Sequence, residues 1–268
     1  MSNVIISHQD YTLGATISGG IWQGALPLSN IQNPLLSKKS RSTNVATVEF
    51  YVDLGSAKAI RIISLCAHNL SPTGILRIRG YSDATYTTQV FGAGFDASVW
   101  PAGFTATQVQ QYPKNYTLVL PSVLTARWWY FNLMDASNPD GYMEMGRLWL
   151  GSADFEPATG ISYGLKLGYE SRDIIEESLG GVPWGSKKTP RRVLSGEFNT
   201  LTITEKRQAL IQQKKLTTTE EAFWISDSAA TADDMLLEAF PCFIRQPSPL
   251  SYPYYTNYNM AIEVVERV

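Results

Sequence analysis

The chain has 268 residues, 44% of them hydrophobic and 17% charged, which suffices for one large domain or two of ordinary size. Its net charge is −2 and no basic block is longer than Lys187-Lys188 or Arg191-Arg192, which argues against nucleic acid as a partner. No stretch approaches the roughly 20 apolar residues of a membrane-spanning helix.

Residues 1–45 read as an apolar docking arm. VIISHQDY is strand-like, and the Gly, Pro, Asn and Ser of SGGIWQGALPLSNIQNPLLSKKSRS favour turns over helix. Ile21, Trp22, Leu26, Leu28, Ile31, Leu35 and Leu36 give the arm more apolar surface than a solvated linker carries. MSNVIISHQDY has no charged segment ahead of an apolar run, so no signal peptide is expected and the chain is read as made in a cytoplasm.

From 46 to 151 the signals are β. VEFYVDLG is a strand ending at Gly55, and AIRIISLCAHNL has the nearly continuous apolar run of a strand buried on both faces. After the SPTG turn, Leu76 and Ile78 alternate with Arg77 and Arg79, which puts the arginines on the opposite face. FGAGFDASVWPAGFTATQVQQYPKN reads as a loop-like insert. YTLVLP, RWWYFNLMD and MEMGRLWLG complete the strands of this region.

Residues 152–268 read as a second β-rich domain, with its boundary near Gly151–Glu156. Strands are expected in ISYGLKLGYES, RRVLSGEFNTLT, EAFWISD, FPCFIRQP and MAIEVVERV. One helix is expected near 203–215, capped by Thr202 or Thr204, with Glu205 and Lys214-Lys215 matching its dipole. TADDMLLEAF is a weaker helical turn.

On these residues the chain resembles two families. VEFYVDLGSAKAIRIISLCAHNLS and ARWWYFNLMDASNPDGYMEMGRLWLG are similar to the opening and closing strands of discoidin-like, galactose-binding-type β-sandwich domains. The resemblance covers 46–151. It implies a mainly β fold with an N-terminal jelly-roll sandwich followed by a β-rich, barrel-like domain, and makes Asp53, Gly55, Arg127, Glu144 and Gly151 fold-defining. Many members of that family bind glycans or lipid headgroups, and others only hold assemblies together. The segment from EFNTLTITEKRQALIQQ through FPCFIRQP resembles bacteriophage minor tail and baseplate proteins, in which a β-barrel joins a ring and a sandwich sits outside it.

Residue chemistry identifies no reaction. His8 and His68 have no metal-type partner nearby in sequence, and Cys66 and Cys242 read as buried free thiols, so no metal, cofactor or catalytic residue is expected. Gly92-Ala93-Gly94 precedes no evident helix and reads as loop, not phosphate cradle. Asp135, Asp140, Glu144, Asp154 and Glu156 cluster in sequence and read first as turn-formers, with a glycosidase carboxylate pair or a calcium site as the alternatives, and Asp227, Asp233 and Asp234 read as turn and helix-start residues. Aromatics make up 12% of the chain. Phe95, Trp100, Phe104 and Tyr112 of the insert are the candidates for contact with a glycan or a neighbouring subunit, and covering their own sandwich is the alternative of at least equal weight.

The leading expectation is therefore a non-enzymatic structural component of a phage tail tip or baseplate. It would be assembled in the host cytoplasm and located in the virion tail. Its partners would be copies of itself in a ring and other tail proteins. The alternative is a carbohydrate-binding module recognising host-surface glycans, and a glycan hydrolase comes third.

Overall fold

The computed structural model describes all residues except 1–2, 162–163, 178–179, 217–219, 246–247 and 254. The fold is mainly β. In chain order the strands are β1 (Ile5–Ser7), β2 (Thr16–Ser18), β3 (Ser40–Arg41), β4 (Thr47–Cys66), β5 (Ile75–Tyr81), β6 (Gln89–Phe91), β7 (Asp96–Ser98), β8 (Asn115–Met134) and β9 (Glu144–Met145). They continue with β10 (Arg147–Gly151), β11 (Lys166–Glu170), β12 (Ile174–Glu177), β13 (Pro183–Ser186), β14 (Arg191–Leu201), β15 (Glu221–Ile225), β16 (Ala239–Ile244) and β17 (Tyr258–Glu266). The helices are α1 (Ala106–Gln111), α2 (Ile203–Lys215) and α3 (Ala232–Glu238).

Two compact units form, and neither is continuous in sequence. One comprises residues 9–153 and 229–239, the other residues 1–8, 154–228 and 240–268. The arm expected over 1–45 is thus divided. Ile5–Ser7 pairs with β15 in the second unit, whereas β2 pairs with β4, and Leu28 and Ile31 enter the core of the first. The helical turn expected in TADDMLLEAF is α3, and Leu236 joins the core of the first unit although it lies far along the chain.

The first unit is built on β4 and β8, each 20 residues long and paired antiparallel along most of their length. VEFYVDLG and AIRIISLC, like YTLVLP and RWWYFNLM, are therefore halves of continuous strands. Register breaks between Asp53 and Lys58, and again between Ile60 and Ile62. The first irregularity reverses which alternate residues of β8 face inward, and the second does so for β4. Along β4 the core takes Val48, Phe50, Val52, Leu54 and Ile60, then Ile63 and Leu65; along β8 it takes Leu120 and Ala126, then Trp129, Phe131 and Leu133. The two halves of the bent sheet so share one apolar core, as in a β-sandwich.

Asp53 accepts from the Gly55 amide at 2.8 Å and binds Arg127 through both carboxylate oxygens, at 2.6 and 2.9 Å. That contact ties the Asp-Leu-Gly turn of β4 to the facing strand. Gly55 has φ +73°, a conformation that favours glycine. Glu144 is buried and held by Arg41 and by Lys39 at 3.2 Å, and Gly151 ends the buried strand β10. Beneath β10, Arg147 and Asp10 form an ion pair at 2.8 Å with both side chains 1% exposed. Burial raises the Asp10 carboxyl above its ordinary range, against the pull of Arg147.

The insert after β5 is more ordered than a loop. β6 and β7 pair with β5, and α1 starts in a capping box of Thr105 and Gln108.

The second unit is a six-stranded sheet in the order β1-β15-β16-β17-β14-β11, in which β1 and β15, β16 and β17, β17 and β14, and β14 and β11 pair antiparallel. Its core draws on Ile6, Phe155, Leu194, Phe198, Trp224, Phe240, Cys242 and Val264. α2 begins with a Thr202–Glu205 capping box, and Ala209 and Leu216 join this core. β12 and β13 form a separate two-stranded hairpin, inserted between β11 and β14.

Candidate functional site

The period of two that sends Phe50, Val52, Trp129, Phe131, Leu76 and Ile78 into the sandwich core sends their neighbours to the other face of the same three strands. Strand register arranges those neighbours in rows. Tyr51 lies opposite Tyr130, and Tyr130 opposite Arg79. Asp53 lies opposite Trp128, which lies opposite Tyr81, and Glu49 opposite Asn132, which lies opposite Arg77. Three adjacent strands therefore present four aromatic rings, two guanidinium groups, two carboxylates and an amide on one face.

The rings form a connected group. Centroids are 5.2 Å apart for Tyr51 and Tyr130, 4.8 Å for Tyr51 and Tyr86, and 5.3 Å for Tyr81 and Tyr86. All four tyrosines are half-buried. Tyr86 reaches the face from the loop after β5, which the Asp83 carboxylate organises by accepting from Thr85, Thr87 and Thr88. Those bonds, led by the Thr85 hydroxyl, hold the Asp83 carboxyl well below the usual range. Tyr86 has φ +57°, unusual for a side chain of its size, so the loop holds it in a costly conformation. Gly19, at φ +94°, lies against Tyr51; a Cβ there would come within 2.9 Å of the ring.

Polar groups frame the rings. Tyr130 donates to Glu49 at 2.8 Å, and burial first and Glu49 second push its hydroxyl pKa up to about 12. Arg77 and Arg79 both bind Asp96, at 2.7 and 2.9 Å, and keep its carboxyl well below the ordinary range. Arg127 does the same for Asp53 and lies 4.5 Å over the ring of Trp128. Beside Glu49 opens a cleft of about 510 Å³ lined by Gly20, Ile21, Asn44, Thr47, Glu49 and Asn132. Ile21 on its rim is 71% exposed.

Ring faces flanked by carboxylate, amide and guanidinium groups suit a pyranose, whose C–H faces are apolar and whose rim is hydroxyl. Asp53, Asp83 and Asp96 all have lowered pKa values and stay ionised at neutral pH.

Of the aromatic residues singled out in the insert, Trp100 is buried, whereas Phe95, Phe104 and Tyr112 are half-buried. Trp100 is 2% exposed and donates to the Leu70 carbonyl at 2.9 Å, which rules it out as a surface contact. Phe104 stacks on Trp100 and meets Tyr112 edge-on, while Phe95 packs against Phe91. Trp100 belongs to the sandwich core, and Phe104 and Tyr112 pack against it.

The clustered acids are dispersed as well. Asp135 accepts from Ser71, Asp140 from Asn69, Glu144 from Arg41, and Asp154 faces His8 at 2.9 Å in the second unit. Asp233 and Asp234 start α3. Among the described residues no group of three or more His, Cys, Asp or Glu could hold a metal ion. The crevice between α2 and the sheet of the second unit has about 20 Å³, room for little more than one water.

What sequence reasoning missed is the sheet face. Its signal was present, since Tyr51 and Tyr130 each stand one position from a core residue and Tyr81 one position from the buried Gly80, but only strand register shows that they meet.

No family model and no curated protein matches the chain. Among solved structures, the Ruminococcus gnavus GH29 fucosidase E1_10125 matches at 10% identity over 54% of this chain, with a TM-score of 0.41. The chain spans 27% of that enzyme's length. CBM32-1 from a family 31 glycoside hydrolase of Clostridium perfringens matches at 14% identity, over 54% of this chain and 99% of its own, with a TM-score of 0.39. A Streptococcus pneumoniae fucose binding module, SpX-3, matches at 10% identity, over 54% of this chain and 98% of its own, also at 0.39. At this level of likeness no residue role transfers.

Proposed function

We propose that the sandwich unit binds carbohydrate without catalysis, on the face formed by Tyr51, Tyr81, Tyr86, Trp128 and Tyr130. The supporting observation is the connected tyrosine group beside a cleft carrying Glu49, Asn44 and Asn132. A sugar ring stacks on Tyr51 and Tyr86, and its hydroxyls bond to Glu49 and Asn132. The test is a glycan array with the full chain, followed by titration of the best ligand against Tyr51→Ala and Tyr130→Ala. Each substitution is expected to weaken binding about tenfold or more, since Tyr51→Ala removes a stacking ring and Tyr130→Ala removes the ring packed against Tyr51 and the hydroxyl that holds Glu49. An array without a hit, or affinities unchanged in both variants, defeats the proposal.

A structural role in a phage tail is a second reading, favoured by the exposed apolar hairpin β12–β13. Mass spectrometry of purified virions that lack this chain would remove it.

A further inference from the structure

Between β11 and β14 the second unit extends a hairpin all of whose strand residues are exposed. Ile174 is 45% exposed, Ile175 74%, Val182 64% and Trp184 57%. A two-stranded hairpin in water is marginally stable, and it becomes stable when further strands are added or an apolar face is covered. Here the paired strands are only β12 and β13, in register Ile174 to Ser186, Ile175 to Gly185, Glu176 to Trp184 and Glu177 to Pro183. β13 carries Pro183, which has no N–H to offer a further strand. β12 has no proline, and among the described residues its outer edge pairs with no other strand.

The sequence along that edge is self-complementary. In Arg172-Asp173-Ile174-Ile175-Glu176, an antiparallel copy centred on Ile174 sets Ile174 against Ile174, Arg172 against Glu176 and Glu176 against Arg172. These three residues share one face of the strand by alternation, so the contact is an apolar centre with opposite charges at both ends. Trp184 lies on the same face, opposite Glu176 within the hairpin. We infer that β12 pairs with β12 of a second copy about a two-fold axis, which makes a four-stranded sheet in the order β13-β12-β12-β13. A two-fold contact uses the same patch on both chains, and a strand that reads as its own complement satisfies that requirement. Pairing over five residues makes a small contact, so the dimer forms weakly and depends on concentration. This inference is independent of carbohydrate binding, which uses the other unit.

Sedimentation velocity of the full chain across a wide concentration range tests it. The wild type is expected to shift from monomer to dimer as concentration rises. Arg172→Glu alone and Glu176→Arg alone each place like charges opposite each other at both ends of the contact and weaken association about tenfold. The double variant, Arg172→Glu with Glu176→Arg, restores both pairs and with them the wild-type dissociation constant. Circular dichroism and the melting temperature confirm that each variant is folded. A wild type that stays monomeric throughout overturns the inference. So does a dimer that ignores both single reversals, or a double variant no better than the singles.

Discussion

His68 makes the stability of the sandwich unit dependent on pH in a calculable way. Its ring is fully buried, 5.4 Å from Trp100, and its Nδ1 accepts from the Leu70 amide at 3.3 Å. Nε2 has no hydrogen-bond partner among the described residues. Burial, with Lys114 and Lys39 adding to it, lowers the pKa from 6.5 to about 3. The folded state therefore holds the neutral imidazole, while the unfolded chain takes up a proton below pH 6.5. Stability on this account is fully present above pH 6.5 and is lost as the pH falls toward 3. The slope approaches about 1.4 kcal/mol per pH unit, which amounts to about 2 kcal/mol at pH 5. The assay is urea unfolding at several pH values between 7.5 and 4, comparing the wild type with His68→Asn, which retains an acceptor for the Leu70 amide. The variant is expected to be less stable at pH 7.5, because ring packing is lost, and its disadvantage should shrink by about 2 kcal/mol by pH 5. Parallel pH profiles for the two proteins would refute the reasoning.

Two further perturbations probe the same unit. Arg147→Met leaves the Asp10 carboxylate buried without its counter-charge and is expected to cost about 3–5 kcal/mol in chemical denaturation. Gly92→Ala places a Cβ 2.1 Å from the Ile78 carbonyl oxygen at φ +88°. It should destabilise the fold by at least about 2 kcal/mol, read as a lower denaturation midpoint.

Strands were legible because their apolar alternation is local, and the split of Leu76 and Ile78 from Arg77 and Arg79 follows from four consecutive residues. Strand continuity was not legible. The polar Gly55-Ser56-Ala57-Lys58 stretch looks like a turn, yet β4 runs through it with a shift of register. The inward burial of Trp100 was undecided for a related reason: an aromatic residue in a Gly- and Pro-rich insert reads equally as a surface contact and as cover for its own sandwich until its partner, the Leu70 carbonyl, is known. Two placements depend on contacts across most of the chain, Ile5–Ser7 beside β15 and α3 against the sandwich core, and no local pattern encodes them. The tyrosine face sits between these cases. Each ring's outward direction is local information, while their meeting is set by the pairing of β4, β8 and β5.

Carbohydrate binding on that face is most directly tested by mapping a bound glycan onto the protein. Backbone and aromatic NMR shifts are followed while the best array ligand is titrated into the full chain. Perturbations centred on Tyr51, Tyr81, Tyr86, Trp128, Tyr130 and the Glu49 cleft are the predicted result. Perturbations confined to other surfaces, with these residues unmoved at saturation, would contradict it.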